Sequence, residues 1–302
     1  MNAIVMNEYG GPEVLKFADY PDPTPGPGDV LVKVAAASVN PIDLLLRSGA
    51  AKDFSPVEFP WIIGWDVSGT VLKLGPGVDQ FSVGDRVFAW VYHTYAELCI
   101  VKANLLAKVP DGLDLVEAAA LPLVTTTGNQ LISLASGIKS GQTVLISGAI
   151  GSIGRAAVFT AKDKGARVIA GVRKNRLAEA KGLNTDQIVA LDDAAAFGAL
   201  APVDVVANTV RGTTSELLLN KVKDGGTYAS VTGVPDSAKS RPSVRAVAFV
   251  SKQDPKTLLY MAEAVRDGRL QIPISQKLAL KDARQAHIAM EKGVAGKILL
   301  VV

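Results

Sequence analysis

Residues 143–154 read TVLISGAIGSIG. A short apolar β run ends in a glycine turn, Gly148-Ala149-Ile150-Gly151-Ser152-Ile153-Gly154, and helical spacing then continues to residue 165. Glycines ahead of a helix let the backbone approach a pyrophosphate, while the helix N-terminus offers free N–H groups and a positive dipole end. The dinucleotide fingerprint is G-x-G-x-x-G. Here Ala149 stands at its first glycine, Gly151 and Gly154 keep the other two, and Gly148 sits just before. Taken alone, such a turn also suits plain tight packing. Its strand–turn–helix–strand setting favours the nucleotide.

Downstream, ARVIAGV (166–172), QIVAL (187–191), VDVVANTV (203–210) and GGTYASVTG (225–233) are apolar β runs separated by helical segments near 176–182 and 214–223. This alternation predicts an α/β fold with a doubly wound parallel sheet. The end of the second strand selects the dinucleotide, because an NAD site places Asp or Glu there for the ribose 2′-OH. VIAGVRKNR offers no acid. Arg173, Lys174 and Arg176 stand where a 2′-phosphate would lie, and Arg suits charge-assisted contacts to that dianion. A solvated basic helix start is the alternative reading. NADPH is the expected cofactor.

Residues 1–120 have another texture, with short β runs between Gly- and Pro-rich turns: DVLVKVAAASV (29–39), GTVLKLG (69–75), DRVFAWVY (85–92) and AELCIV (96–101). Short strands at that spacing predict a small barrel or sandwich. GKILLVV (296–302) returns to a β pattern after a helix near 281–292 and suits either domain.

The 302 residues suffice for two ordinary domains. With 48% hydrophobic and 20% charged residues the chain is globular rather than disordered. A dispersed net charge of +3 argues against a nucleic-acid partner. The single cysteine, Cys99, excludes an internal disulfide and a cysteine-rich metal cluster. The first residues lack the basic start and apolar run of a signal peptide. No stretch of about 18 apolar residues is present to span a membrane. A soluble, cytoplasmic protein is expected.

GGPEVL (10–15), the ASVNPID run leading to RSG (37–49), IIGWDVSGTV (62–71), VPDGLDLVEAAALPL (109–123), GAIGSIG (148–154) and GKILLVV occur in one order. Together they resemble the zinc-free quinone oxidoreductase (zeta-crystallin-like) branch of the medium-chain dehydrogenase/reductase superfamily, over nearly the whole chain. The resemblance implies a GroES-like β-domain of residues 1–122 with 272–302 and a Rossmann-type NADPH-binding domain of residues 123–271. It also implies a homodimer and an active site where the two domains meet. Zinc-dependent relatives carry Gly-His-Glu where this chain reads Gly64-Trp65-Asp66, and SVNPID lacks their first cysteine ligand. Zinc takes three or four S, N or carboxylate ligands, and the chain has one Cys and two His. No metal is expected.

The implied reaction is NADPH-dependent hydride transfer to a quinone or an α,β-unsaturated carbonyl, the cofactor carrying the hard step. A dedicated 2-alkenal or enoyl reductase of one metabolite, and a non-catalytic, crystallin-like NADPH-binding protein, are the alternatives. By resemblance the cofactor residues are Asn40, Thr127, Gly148, Ala149, Ile150, Gly151, Ser152, Ile153, Arg173, Lys174, Arg176, Thr209, Val210, Gly233, Val234, Phe249, Val250 and Lys297, the last near the phosphate end. Asn40 precedes Pro41 and equally suits a turn, and Thr127 equally suits a helix cap. Leu45, Trp65, Tyr92 and His93 are the expected substrate pocket, Leu45 standing where relatives carry a cleft tyrosine. Tyr92 is the candidate for hydrogen-bonding a substrate oxygen, and Asn40 is the second candidate catalytic residue. His93 suits a proton donor or a solvent-facing side chain. Asp43 and Asp66 suit loop-holding roles, and His287 a structural one.

Overall fold

A computed structural model describes residues 1–302. Along the chain run β1 (Asn2–Met6), β2 (Lys16–Asp19), β3 (Asp29–Val39), β4 (Trp61–Ile62), β5 (Asp66–Leu74), β6 (Arg86–Trp90), β7 (Leu98–Lys102) and β8 (Ala107–Lys108). Six more follow: β9 (Thr143–Ser147), β10 (Arg167–Val172), β11 (Gln187–Ala190), β12 (Val203–Asn208), β13 (Val222–Ser230) and β14 (Arg245–Ala248). The last two are β15 (Ile274–Ala279) and β16 (Lys297–Val301). The helices of eight residues or more are α1 (Pro41–Ser48), α2 (Pro122–Gln130), α3 (Ser152–Asp163), α4 (Pro255–Arg266) and α5 (Ala283–Lys292).

The chain divides into two compact units. One comprises Met1–Leu123, Gln253–Gly268 and Ile272–Val302; the other comprises Val124–Lys252 and Arg269–Gln271. The sequence-based boundary placed everything from 123 to 271 in the nucleotide domain, so α4 is a correction. Asp254 caps α4 by accepting from the Lys256 and Thr257 N–H groups, and Pro255 fills the first helical position. Its buried face, Leu258, Met261 and Ala262, recurs at helical spacing. That face packs within the first unit, where α4 touches β8.

In the first unit β2-β1-β4 form a three-stranded sheet, and β15-β16-β3-β5-β6-β8 form a larger one in which β7 also pairs with β3. The long strand β3 alternates burial through Val30, Val32 and Val34, which meet Val67, Val71, Val87 and Val101 in one core. The carboxyl-terminal strand β16 joins this unit, antiparallel to β3 with Leu299 opposite Ser38.

The second unit is one six-stranded sheet in the order β11-β10-β9-β12-β13-β14, all its pairings parallel. Its central strand β9 is buried from Val144 to Ser147, as expected for a parallel strand with both faces covered. Helix α3 lays Gly154, Ala156, Ala157, Val158 and Ala161 inward. These pack with Val144, Ile146, Val168 and Ala170 in one core. Counting from β9, the strand order is 3-2-1-4-5-6, which reverses direction between β9 and β12. Ligands of open α/β sheets bind outside the carboxyl ends of the strands at such a reversal.

Candidate active site

The glycine turn sits at that reversal. Gly148 has φ +62° and accepts at its carbonyl from the Gly151 N–H (2.9 Å). A Cβ on Gly154 would lie 2.1 Å from the Gly148 carbonyl oxygen, so glycine is required by close approach of the turn to its own helix. Gly151 caps α3 without a side chain. The first N–H groups of α3, at Ser152 and Ile153, thus face outward with no intrahelical acceptor. The cradle fits a pyrophosphate.

At the end of β10 the three expected cations separate. Lys174 is ion-paired with Asp193 (2.9 Å), and its backbone N–H donates to Asp192 (2.7 Å). Arg176 is paired with Glu179 three residues on. Arg173 is exposed and makes no ion pair. The expectation that no acid lies in reach is therefore corrected, since the turn after β11 brings Asp192 and Asp193 alongside. Arg173 is the free guanidinium of the three.

Thr209 Oγ1 donates to the Ser147 carbonyl (2.7 Å), and its N–H donates to Ser147 Oγ (2.9 Å), so it lies against the turn. Val210, Gly233 and Val234 follow β12 and β13, while Phe249 and Val250 follow β14. All lie beyond carboxyl strand ends. Beneath them Asn208, fully buried, accepts from Ser147 Oγ (2.6 Å) and donates to the Val210 carbonyl and to Ser230 and Thr232. This amide pins three strand ends together, and sequence reasoning missed it. Thr127 lies inside α2 rather than at a cap, its hydroxyl 2.8 Å from Ser251 Oγ.

The first unit holds a second constellation. Asp66 Oδ2 accepts from Ser38 Oγ (2.7 Å) and Asn40 Nδ2 (2.8 Å), while Oδ1 accepts from the Leu123 N–H (2.8 Å). Lys297 Nζ donates to Asn40 Oδ1 (2.5 Å) and the Val39 carbonyl (3.1 Å) and lies 3.5 Å from Asp66. Asp43 Oδ2 accepts from the Asn40 N–H (2.8 Å) and Tyr95 OH (3.1 Å). All these side chains are buried. Burial lifts the Asp43 carboxyl to about 7, with the nearby Asp66 charge adding to it. Burial also lowers the Lys297 ammonium below its usual range, against the pull of the two carboxylates.

Two expectations change here. Lys297, expected at a phosphate, is an interior ion with its donors engaged inside the first unit. Asn40 stands at the N-cap of α1, its N–H donating to Asp43 Oδ2 three residues on, and both ends of its own amide are used, on Lys297 and Asp66. It is removed from the surface and positions the start of α1.

Gly64 connects this network to its neighbour. Its φ is +109°, and a Cβ there would lie 2.3 Å from Tyr95 Cδ1. The chain then enters β5, where successive side chains alternate faces. Asp66 goes to the buried network and Trp65 to an aromatic cluster. Trp65 stacks on Trp90 (centroids 5.9 Å, 24°) and meets Tyr92 edge-on (4.8 Å). Trp61 meets Tyr92 (6.1 Å) and His93 (4.3 Å). The chain has three tryptophans, and all are here. The indole nitrogens of Trp61 and Trp65 are buried without an acceptor, where a buried unpaired donor costs about 1–3 kcal/mol. Tyr92 is 44% exposed.

His93 has φ +65°, the one non-glycine residue in the left-handed region. Its Nδ1 lies 3.0 Å from the Ile62 carbonyl. Desolvation of the packed ring holds its pKa below the usual histidine range, although the residue as a whole is exposed. Leu45 is half-buried on α1. Nowhere do three His, Cys, Asp or Glu side chains stand together as a metal-ligand set.

Residues 26–111 match the alcohol dehydrogenase GroES-like domain, and residues 183–300 match the zinc-binding dehydrogenase family. A quinone oxidoreductase of Pseudomonas aeruginosa is 32% identical over 326 residues, covering 97% of each chain. The chain belongs to the quinone oxidoreductase family of medium-chain dehydrogenase/reductases. Among solved structures of the family, the quinone oxidoreductase of Coxiella burnetii superposes with a TM-score of 0.89 at 30% identity, over 100% of this chain and 99% of its own. A mycobacterial protein solved in complex with NADPH superposes at 0.86 and 30% identity over the whole of both chains. This member of the family is an oxidoreductase on a nucleotide-binding fold. None of its helices is long and apolar enough to cross a membrane.

Trp61 and Trp90 were missed as site residues. Their signal was rarity: three tryptophans lie within thirty positions of one another, around the Gly64-Trp65-Asp66 turn. Tyr95 and Ser38 gave none.

Proposed function

We propose that the protein is an NADPH-dependent, zinc-independent reductase of a quinone or an α,β-unsaturated carbonyl compound. One observation supports the cofactor assignment above all: the open N-terminus of α3 behind the Gly148–Gly154 turn, with Arg173 unpaired at the end of the neighbouring strand. When bound, the reduced nicotinamide supplies the hydride. Gly148, Gly151 and the N–H groups of Ser152 and Ile153 would hold the pyrophosphate, and Arg173 the 2′-phosphate. Thr209 and Val210 support the turn from β12.

In the first unit Trp65, Tyr92, His93 and Leu45 form the acceptor wall. A hydrogen-bond donor of this wall meets the acceptor's carbonyl oxygen, stabilising the charge that hydride addition develops there. Asn40, held between Lys297 and Asp66, positions α1 and with it Leu45. Zinc independence is supported by Trp65 in the metal-ligand position and by the lack of a ligand set.

The test is oxidation of NADPH, followed by loss of its ultraviolet absorbance, against a panel of quinones and 2-alkenals with NADH as control. NADPH is expected to outperform NADH, and Arg173→Ala to cut that preference about tenfold, the scale of one charge-assisted contact. NADPH binding without oxidation by any acceptor would leave a nucleotide-binding protein without turnover. Absence of NADPH binding would sink the cofactor assignment.

A further inference from the structure

The aromatic cluster holds two donors with nothing to donate to. In proteins buried Trp N–H groups usually find an acceptor, yet the indole nitrogens of both Trp61 and Trp65 lie buried and unpaired. Both tryptophans contact the same ring, that of Tyr92, edge-on at 6.1 and 4.8 Å. Tyr92 is also the exposed member of the set, at 44%, whereas Trp90 behind Trp65 is buried. The chain beside it is held in a strained shape, His93 having a positive φ and a ring packed on Trp61. Backbone strain of this kind clusters at ligand clamps and switch segments.

We propose that Trp61 and Trp65, the latter backed by Trp90, form a slot for a flat aromatic carbonyl compound, and that the Tyr92 ring fills this slot in the ligand-free protein. The phenol ring stands in for the ligand. It is a planar six-membered ring between electron-rich indoles, but it leaves the two N–H groups unsatisfied. A ligand ring entering as Tyr92 rotates to another staggered position replaces the edge contacts with indoles and brings a carbonyl oxygen to the Trp65 N–H. An electron-poor ring gains most, because the indole faces are negative. An aliphatic 2-alkenal has no ring to place there. Trp65 and Trp61 are thus the specificity-determining residues. This deepens the reductase reading by choosing aromatic over aliphatic acceptors, and it rests on that reading only for the ligand's being the acceptor.

The experiment is calorimetric titration of the full-length protein with 2-methyl-1,4-naphthoquinone, with hex-2-enal as comparison and no cofactor present. Trp65→Phe keeps a ring and removes the donor. It is expected to weaken the quinone about tenfold, the scale of one lost hydrogen bond at a site left otherwise apolar. Tyr92→Ala, at a half-exposed position where folding is not at stake, is expected to tighten it at least about threefold by removing the competing occupant. NADPH affinity should be unchanged in both variants. Equal quinone affinity in wild type and Trp65→Phe, or weaker binding in Tyr92→Ala, would overturn the proposal. Should the quinone bind as expected while NADPH oxidation fails, the slot stands and the reductase reading falls.

Discussion

The nucleotide turn and the Asn40–Asp66–Lys297 network are both polar devices set against apolar sheets, and they are built in opposite ways. The turn is made of backbone. Its carbonyls, N–H groups and positive φ all come from residues 148–154, and a missing Cβ is what lets it close. The network is made of side chains drawn from Ser38, Asn40, Asp43, Asp66, Tyr95 and Lys297, with one of its hydrogen bonds spanning 257 positions. A backbone device dictates residue type locally. A side-chain device dictates only that each buried charge and donor be matched by another, wherever in the chain that other lies. The first should fail in ligand binding when altered, and the second in stability.

The sharpest way to break that contrast is Lys297→Met. Removing one partner of a buried ion pair leaves Asp66 uncompensated, which costs about 3–5 kcal/mol. Urea denaturation should show this loss, while calorimetric NADPH affinity of the folded protein holds. A weaker NADPH affinity at unchanged stability would return Lys297 to the phosphate and dissolve the comparison.

Gly154→Ala tests the other side. Its Cβ would meet the Gly148 carbonyl at 2.1 Å, and the obstacle is backbone, so the turn itself must open. NADPH affinity is expected to fall at least about 100-fold, or ~2.7 kcal/mol, measured by the same calorimetry.

In the acid range a slope per pH unit, smaller than either of these losses, is expected, and it divides the first unit further. Burial depresses His287 to about 3 from an ordinary 6.5, the nearby Arg47 adding to it, so its contribution is present above 6.5 and lost as pH falls towards 3. Asp43, raised to about 7 from 3.8, contributes most below 3.8 and loses that contribution as pH rises through 7. Between 3.8 and 6.5 the two slopes oppose. His287→Phe should therefore gain stability on acidification relative to wild type, and Asp43→Asn should lose it. Each slope approaches about 1.4 kcal/mol per pH unit, read from denaturation midpoints across the range. Parallel profiles in all three proteins would show that neither group titrates as placed.

This division also explains what could be read in advance. The sheet, its strand runs from TVLIS onward and the glycine turn were legible because period, length and glycine spacing are local properties. The strand 29–39 matched β3 to the residue for the same reason. Helix α4 escaped because its helical spacing belongs to a unit whose other residues lie far off in the chain. Lys297 was misplaced because GKILL reads as a strand start with a basic edge, and nothing near it reveals that Asn40 and Asp66 wait behind. The cations after β10 were read as one group. The acids that meet Lys174, at 192 and 193, arrive after a different strand, whereas Arg176 meets Glu179 three residues on.

The lone thiol acquires a meaning from its place on β7. Cys99 is 2% exposed, and burial pushes its pKa up to about 12. Its sulfur lies 3.8 Å from the carbonyl of Tyr92. Quinones and unsaturated carbonyls alkylate thiolates, and the thiol form is a poor nucleophile. On the proposed reaction, a protein that meets such electrophiles at every turnover carries its only sulfur nucleophile next to the acceptor wall, yet sealed from it and protonated. The fold thereby grants the catalyst immunity to its own substrate.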